Sequence, residues 1–223
     1  MSNASVAITH YCERTGEEFW AEPINALTNL AFILAAIGIA YALRHSRPRS
    51  ALKSVWDIWL LAGLMVAIGI GSFLWHTLAT PWTEWADVIP ILLFINVFLL
   101  SFLVRMARLR PSGILFWFIL FQVFNFGLQS FFPPDFLNGS IFYLPTWASL
   151  LLMALYCKAI QWPGANRLLA ATLVFTVSLT LRTIDQLICS AWPMGTHFGW
   201  HLQNGLTLYL LTRALMGAHP GIE

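Results

Sequence analysis

The chain has 223 residues, of which 58% are hydrophobic and only 10% are charged. A soluble domain carries about a quarter of its residues as charges, so this composition excludes a soluble globule, and its hydrophobicity excludes intrinsic disorder. Twelve Lys and Arg against ten Asp and Glu leave a net charge of +2, with the bases too few and scattered to form a nucleic-acid surface. An integral membrane protein remains.

Taken in chain order, apolar stretches near the length of a membrane-crossing helix fall at Ile24–Leu43, Val55–Leu78, Trp85–Val104, Ile114–Phe132, Ile141–Ile160, Leu168–Leu187 and Thr196–Met216. The short connections predict one all-α bundle of seven transmembrane helices, with residues 1–223 as a single membrane domain and 1–23 as a tail packed on its outer mouth. The first 20 residues carry acidic groups and no leading basic cluster, unlike a removable signal peptide. Arg44, Arg47, Arg49 and Lys53 lie in the first connection, Arg105, Arg108 and Arg110 in the third, Lys158 and Arg167 in the fifth, and Arg213 near the end. The even connections hold no bases. By the positive-inside rule the N-terminus is expected outside and the C-terminus in the cytoplasm. Trp20, Trp82 and Trp85 read as interface anchors.

Ionisable residues at membrane depth are costly and mark functional sites. The second span ends in Ser72-x-x-x-His76, the third begins with Asp87, and the seventh opens with His197-x-x-x-His201. Side chains at i and i+4 share one helix face, so His197 and His201 can hold one metal ion together. For that pair alone, two interfacial histidines bonded to neighbours is a competing reading. For Asp87 alone it is a carboxylate favouring a helix N-terminus, and for Ser72 a hydroxyl bonded to its own i−4 carbonyl. Topology draws them together, because the second span ends, and the third and seventh begin, on the same side. Three histidines with one open position is the pattern of a catalytic Zn²⁺ site, as opposed to a closed structural one.

At these residues the sequence resembles the alkaline ceramidase family, part of a seven-helix zinc hydrolase superfamily that includes adiponectin and progestin receptors. The superfamily pattern is Ser-x-x-x-His, then Asp, then His-x-x-x-His, matched by Ser72, His76, Asp87, His197 and His201. The ceramidase branch adds Cys12-Glu13, the segment Ala21-Glu22-Pro23-Ile24-Asn25 through Thr28-Asn29-Leu30, and Ile184-Asp185-Gln186 with Cys189 after it. The resemblance, running from about residue 10 to 215, implies a hydrolase that cleaves the amide bond of ceramide-like N-acyl lipids to fatty acid and sphingoid base. It implies His76, His197 and His201 as zinc ligands. Asp87 would then accept a proton from the attacking water and pass it to the leaving amine, while Ser72 helps hold the oxyanion. The resemblance also implies a Cys12–Cys189 disulfide and a calcium ion near the N-terminus, with Glu13 and Glu22 as its carboxylates. His10 and Thr15 stand where the family has Asp and Asn, although Ca²⁺ wants oxygen ligands.

Other polar residues read as structural: Arg182 and Asp185 as an i, i+3 ion pair or as an anchor for the N-terminal segment, Asn25 and Asn29 as ties of the first helix, Gln203 and Asn204 as interhelical glue or as supports of the ligands, and Cys157 as a free packing residue. A seven-helix receptor with a structural zinc fits the same topology, but such a site needs neither Ser72 nor Asp87. A retinal protein needs a lysine inside the last span, and the only lysines are Lys53 and Lys158. A transporter needs paired broken helices, for which there is no sign. The same centre also suits an esterase or amidase acting on a non-sphingolipid.

Overall fold

The computed structural model describes residues 11–46, 55–133 and 135–217. Among them the regular structure is entirely helical: α1 (Pro23–Thr28), α2 (Leu30–Ser46), α3 (Trp56–Leu78), α4 (Pro81–Arg105), α5 (Pro111–Gln129), α6 (Leu144–Ala159), α7 (Ala165–Ile184) and α8 (His197–Met216). A 3₁₀ turn at Ser140–Tyr143 leads into α6, and another at Asp185–Leu187 closes α7. Taking α1 with α2 as one rod gives seven, and six of these are long and apolar enough to cross a membrane. The seventh rod, α8, falls short because His197, His201, Gln203, Asn204 and Thr207 dilute its hydropathy. Its position explains how it tolerates them. It packs against α1, α2, α3, α4 and α7, so its polar groups face protein. The outer surface has the opposite character. Leu92, Leu93, Leu115, Phe116 and Phe126 are exposed on α4 and α5, an apolar belt suited to lipid.

Helix boundaries shift by up to four residues from the sequence reading, and two of the differences have local reasons. α4 starts at Pro81, not Trp85, because Pro suits the first helical position. The Thr83 hydroxyl also accepts the Thr80 N–H at 3.0 Å. The first span is interrupted only at Asn29, whose amide donates to the Asn25 carbonyl at 2.9 Å. Asn29 keeps helical dihedrals (φ −62°, ψ −17°), so α1 and α2 run on as one rod across this single residue.

The α3–α4 hairpin turns in two residues, Ala79 and Thr80, with Ala79 at φ 47° closing α3. The two helices run so close that a Cβ on Gly71 would collide with the Ala86 carbonyl. At the far end of the hairpin, Arg105 donates to Asp57 (Nε to Oδ2, 2.6 Å). An acid in the first turn of α3 thus meets a base in the last turn of α4, each favoured by its helix dipole. This pair pins one end of the hairpin, and the candidate site residues occupy the other.

Candidate metal centre and lipid cleft

His76 lies in the last turn of α3, His197 is the first residue of α8, and His201 follows one turn later. All three are buried, and each offers a ring nitrogen within 4.8 Å of the others. Their orientations are fixed from behind. His76 Nδ1 is 2.6 Å from Glu22 Oε2, which places the proton on Nδ1 and leaves Nε2 as a lone pair. His201 Nδ1 is 3.0 Å from Thr28 Oγ1, whose own hydrogen goes to the Ile24 carbonyl at 2.8 Å. His201 is therefore also an Nδ1–H tautomer, with Nε2 free.

His197 is held through the backbone. The Asp185 carboxylate accepts the N–H groups of Thr196 (2.6 Å), His197 (2.9 Å) and Cys12 (3.2 Å). Gly195 turns the chain there at φ 64°, and a Cβ on it would strike that carboxylate. The Tyr11 ring stacks on His197 with centroids 3.9 Å apart, roofing the site. Burial pushes the Tyr11 phenol above its ordinary pKa, so it stays protonated.

His76 Nε2 and His197 Nδ1 are buried without a hydrogen-bond partner. Unpaired buried polar atoms cost stability. Three imidazoles converging with free nitrogens suit a metal ion that prefers nitrogen ligands. The residues expected as ligands thus come together. So do the other two. Ser72 sits one turn before His76 and lines the same cavity as Asp87, whose Oδ1 is buried and unpartnered.

Ser72, Asp87 and His201 form the polar end of a cleft of about 850 Å³, counted to its open mouth. Its walls are otherwise mostly apolar, including Ile68, Phe98, Leu99, Met153, Leu208 and Leu211. From Asp87 to Leu99 along α4, and from His201 to Leu211 along α8, the cleft runs roughly 15–18 Å at the helical rise. α5 packs only sparsely on α4 and α6, and Phe121 of α5 lines the cleft between them.

The calcium site expected from Glu13 and Glu22 does not fit. Glu13 accepts the backbone N–H groups of Ile24 (2.7 Å) and Asn25 (2.8 Å), capping α1 with both oxygens. Glu22 gives one oxygen to His76 and Asn25 and the other to the guanidinium of Arg14. A cation wanting six to eight oxygens finds these carboxylates engaged, with a protein cation among them. Burial would raise the Glu22 pKa, but the His76, Asn25 and Arg14 hydrogen bonds prevail and hold it below the ordinary carboxylate value. His10 lies outside the described residues.

Arg182 and Asp185 do not form the ion pair; Asp185 takes the other expected role and anchors the N-terminal segment through the Cys12 N–H, along with those of Thr196 and His197. The Arg182 guanidinium instead lies over the rings of Trp200 (5.3 Å) and Tyr143 (5.7 Å), with Nε unpartnered. The Cys12–Cys189 disulfide is formed, with a Cα separation of 5.1 Å, and Cys157 is free and buried. Sequence reasoning missed Tyr11, Arg14 and Thr28 as parts of the centre. The lone base Arg14 amid Glu13, Glu17, Glu18 and Glu22 was a usable signal, whereas nothing local marked Thr28.

Fold and site together define a helical membrane protein with a buried three-histidine centre at the head of an apolar cleft. A protein-family model described as Ceramidase matches residues 4–218, nearly the whole chain, and the chain belongs to that family. The comparison with curated proteins gave no match.

Proposed function

We propose that this protein is a zinc-dependent intramembrane hydrolase that cleaves the amide bond of ceramide-like N-acyl lipids, releasing a fatty acid and a sphingoid base. The observation that carries this reading is the placement of three inward-facing imidazole nitrogens beside Ser72 and Asp87, at the polar end of an apolar cleft. Family membership supports the reaction class. His76, His197 and His201 would hold the ion, and zinc suits imidazole and an open fourth position. Bound there, the metal would supply Lewis acidity toward water and the scissile carbonyl.

The chain's own residues do the rest. Glu22 and Thr28 fix the tautomers of His76 and His201, so their free nitrogens need no rearrangement to bind. Asp87 is the proton carrier. Its unpartnered Oδ1 accepts a proton as water attacks and returns it to the amine nitrogen as the C–N bond breaks. Ser72 offers a hydroxyl to the developing oxyanion. The cleft takes an acyl chain, and the sparse packing around α5 gives a lipid a sideways route from the bilayer. The distribution of Lys and Arg puts the centre on the non-cytoplasmic side, with the N-terminus outside and the C-terminus inside.

The test uses purified protein in detergent. Zinc per chain is measured together with fatty-acid release from a panel of N-acyl and O-acyl lipids. About one zinc per chain is expected. Asp87→Ala should keep zinc and lose about 10²–10⁴-fold in rate, while His76→Ala and His197→Ala should lose the metal. A fully zinc-loaded protein that hydrolyses no lipid, with Asp87→Ala indistinguishable from wild type, would refute the enzymatic reading. Release from esters but not amides would refute the substrate class alone.

A further inference from the structure

Arg14 is the one member of the centre that neither the proposed chemistry nor the ligand set explains. Its side chain is fully buried, which is rare for a charge and costly unless every donor is placed. Its partners are specific. Nε donates to Glu22 Oε1, Nη2 to the backbone carbonyl of His76 at 2.9 Å, and Nη1 to that of Gly16 at 3.4 Å. The other oxygen of Glu22 is the one that holds His76 Nδ1. One guanidinium therefore grips His76 twice, directly at its carbonyl and indirectly at its ring. That carbonyl belongs to the last turn of α3, where helix carbonyls lack helical partners and the dipole favours a cation. A lysine reaches such a set with a single point charge, whereas the planar fork of arginine fits it.

The same position is where the family resemblance leads one to expect calcium, and the carboxylates there are occupied by Arg14 and by backbone N–H groups. A divalent ion in such a place would neutralise Glu22 and tie residues 11–22 to the bundle. Arg14 does both without a ligand to lose.

We propose that Arg14 is a positioning residue that stands in place of a bound calcium ion. It orients Glu22 on His76 and clamps the N-terminal segment to the end of α3, so the centre takes up its metal without calcium. The zinc part of this inference rests on the three-histidine reading above; the calcium part does not.

Two measurements on the full chain in detergent test it. The first is zinc affinity, by competition with a chromophoric chelator, for wild type, Arg14→Lys and Arg14→Gln. Arg14→Gln is expected to bind zinc about 10–100-fold more weakly, as removal of outer partners of a metal ligand does. Arg14→Lys should fall between. The second is the Tm of metal-free wild type in calcium and in a calcium chelator, expected to be the same in both. Equal zinc affinity in all three proteins would overturn the positioning role. A wild-type Tm that rises with calcium, or a zinc affinity that depends on it, would overturn the replacement. A wild type that binds no zinc at all would remove the three-histidine reading and the positioning role with it, while the melting comparison would still decide whether Arg14 replaces calcium. Should Arg14→Gln fail to fold while Arg14→Lys folds, the comparison of Lys with wild type reads the same effect.

Discussion

Gly71 offers a way to move Asp87 without touching it. A Cβ at this position would lie 2.6 Å from the Ala86 carbonyl carbon and 3.1 Å from the Asp87 nitrogen. These are backbone atoms of α4, which cannot swing aside as a side-chain tip can. In Gly71→Ala the two helices must separate by about 1 Å to restore ordinary contact, a strain worth about 1–3 kcal/mol. Asp87 belongs to α4, whereas the three histidines belong to α3 and α8. The proton carrier should therefore shift relative to an intact ligand set. A displacement of that size costs about 10²-fold in rate. The assay is zinc content alongside the hydrolysis rate of an N-acyl lipid. The expected result is normal zinc, lower Tm and a rate reduced about a hundredfold. Gly63 is the control, since it lies on the same helix with nothing within 4 Å of an added Cβ. Gly63→Ala should match wild type. A Gly71→Ala enzyme with full zinc and wild-type rate would refute the assignment of Asp87 as the proton carrier, or the closeness of the helices on which the argument depends.

Three other outcomes follow from single contacts. Leu99 is buried at the apolar end of the cleft, so Leu99→Trp should shift preference toward shorter acyl chains while zinc stays bound, as read from a chain-length series of N-acyl substrates. Asp185→Asn replaces an acceptor of three backbone N–H groups with an amide that can offer only one oxygen; about 1–3 kcal/mol of stability should be lost, with weaker zinc binding through the displaced His197, and an unchanged Tm would count against the cap. In wild type only Cys157 should react with a thiol reagent under non-reducing denaturation, and in Cys12→Ser both Cys157 and Cys189 should react.

The fold was legible because membrane helices announce themselves by length and apolarity, and so was the core of the site. Polar residues in such helices are few enough that Ser72, His76, Asp87, His197 and His201 stand out against the background. Their convergence was legible too, since three of the helix ends that carry them had to lie on one side. Hidden were the contacts made across the chain by residues outside that pattern. Thr28 supports His201 from within an apolar run, and nothing local marks it for that contact. For Arg182 and Asp185 the sequence left an ion pair and an anchor for the N-terminal segment open; Asp185 is the anchor, but i, i+3 spacing could not reveal that it also holds the start of α8. Glu13 and Glu22 were expected to hold calcium only through the family resemblance. Whether an acidic cluster binds an ion depends on which donors the fold brings to it, here Arg14 and the first turn of α1.

Depth ties the centre to the kind of bond it is proposed to cleave. α3 has 23 residues, or about 35 Å at the helical rise, against a hydrocarbon core of about 30 Å. Its ends therefore reach just past the apolar layer. His76 is two residues from the end of α3, and Asp87 is less than two turns into α4. Both sit roughly 3–9 Å below the bundle's end, a level that a bundle centred in the bilayer would hold near the boundary between hydrocarbon and headgroups. The cleft then continues away from that boundary into the apolar layer. A lipid whose scissile group sits just beneath its headgroup, with a long chain beyond it, meets this geometry without being lifted from the bilayer. A bond deep in an acyl tail does not, and neither does a bond far out in a large headgroup. The amide of an N-acyl lipid lies at the required depth. This argues that the cleft's length sets chain preference, while the level of the histidines sets which bond is cut.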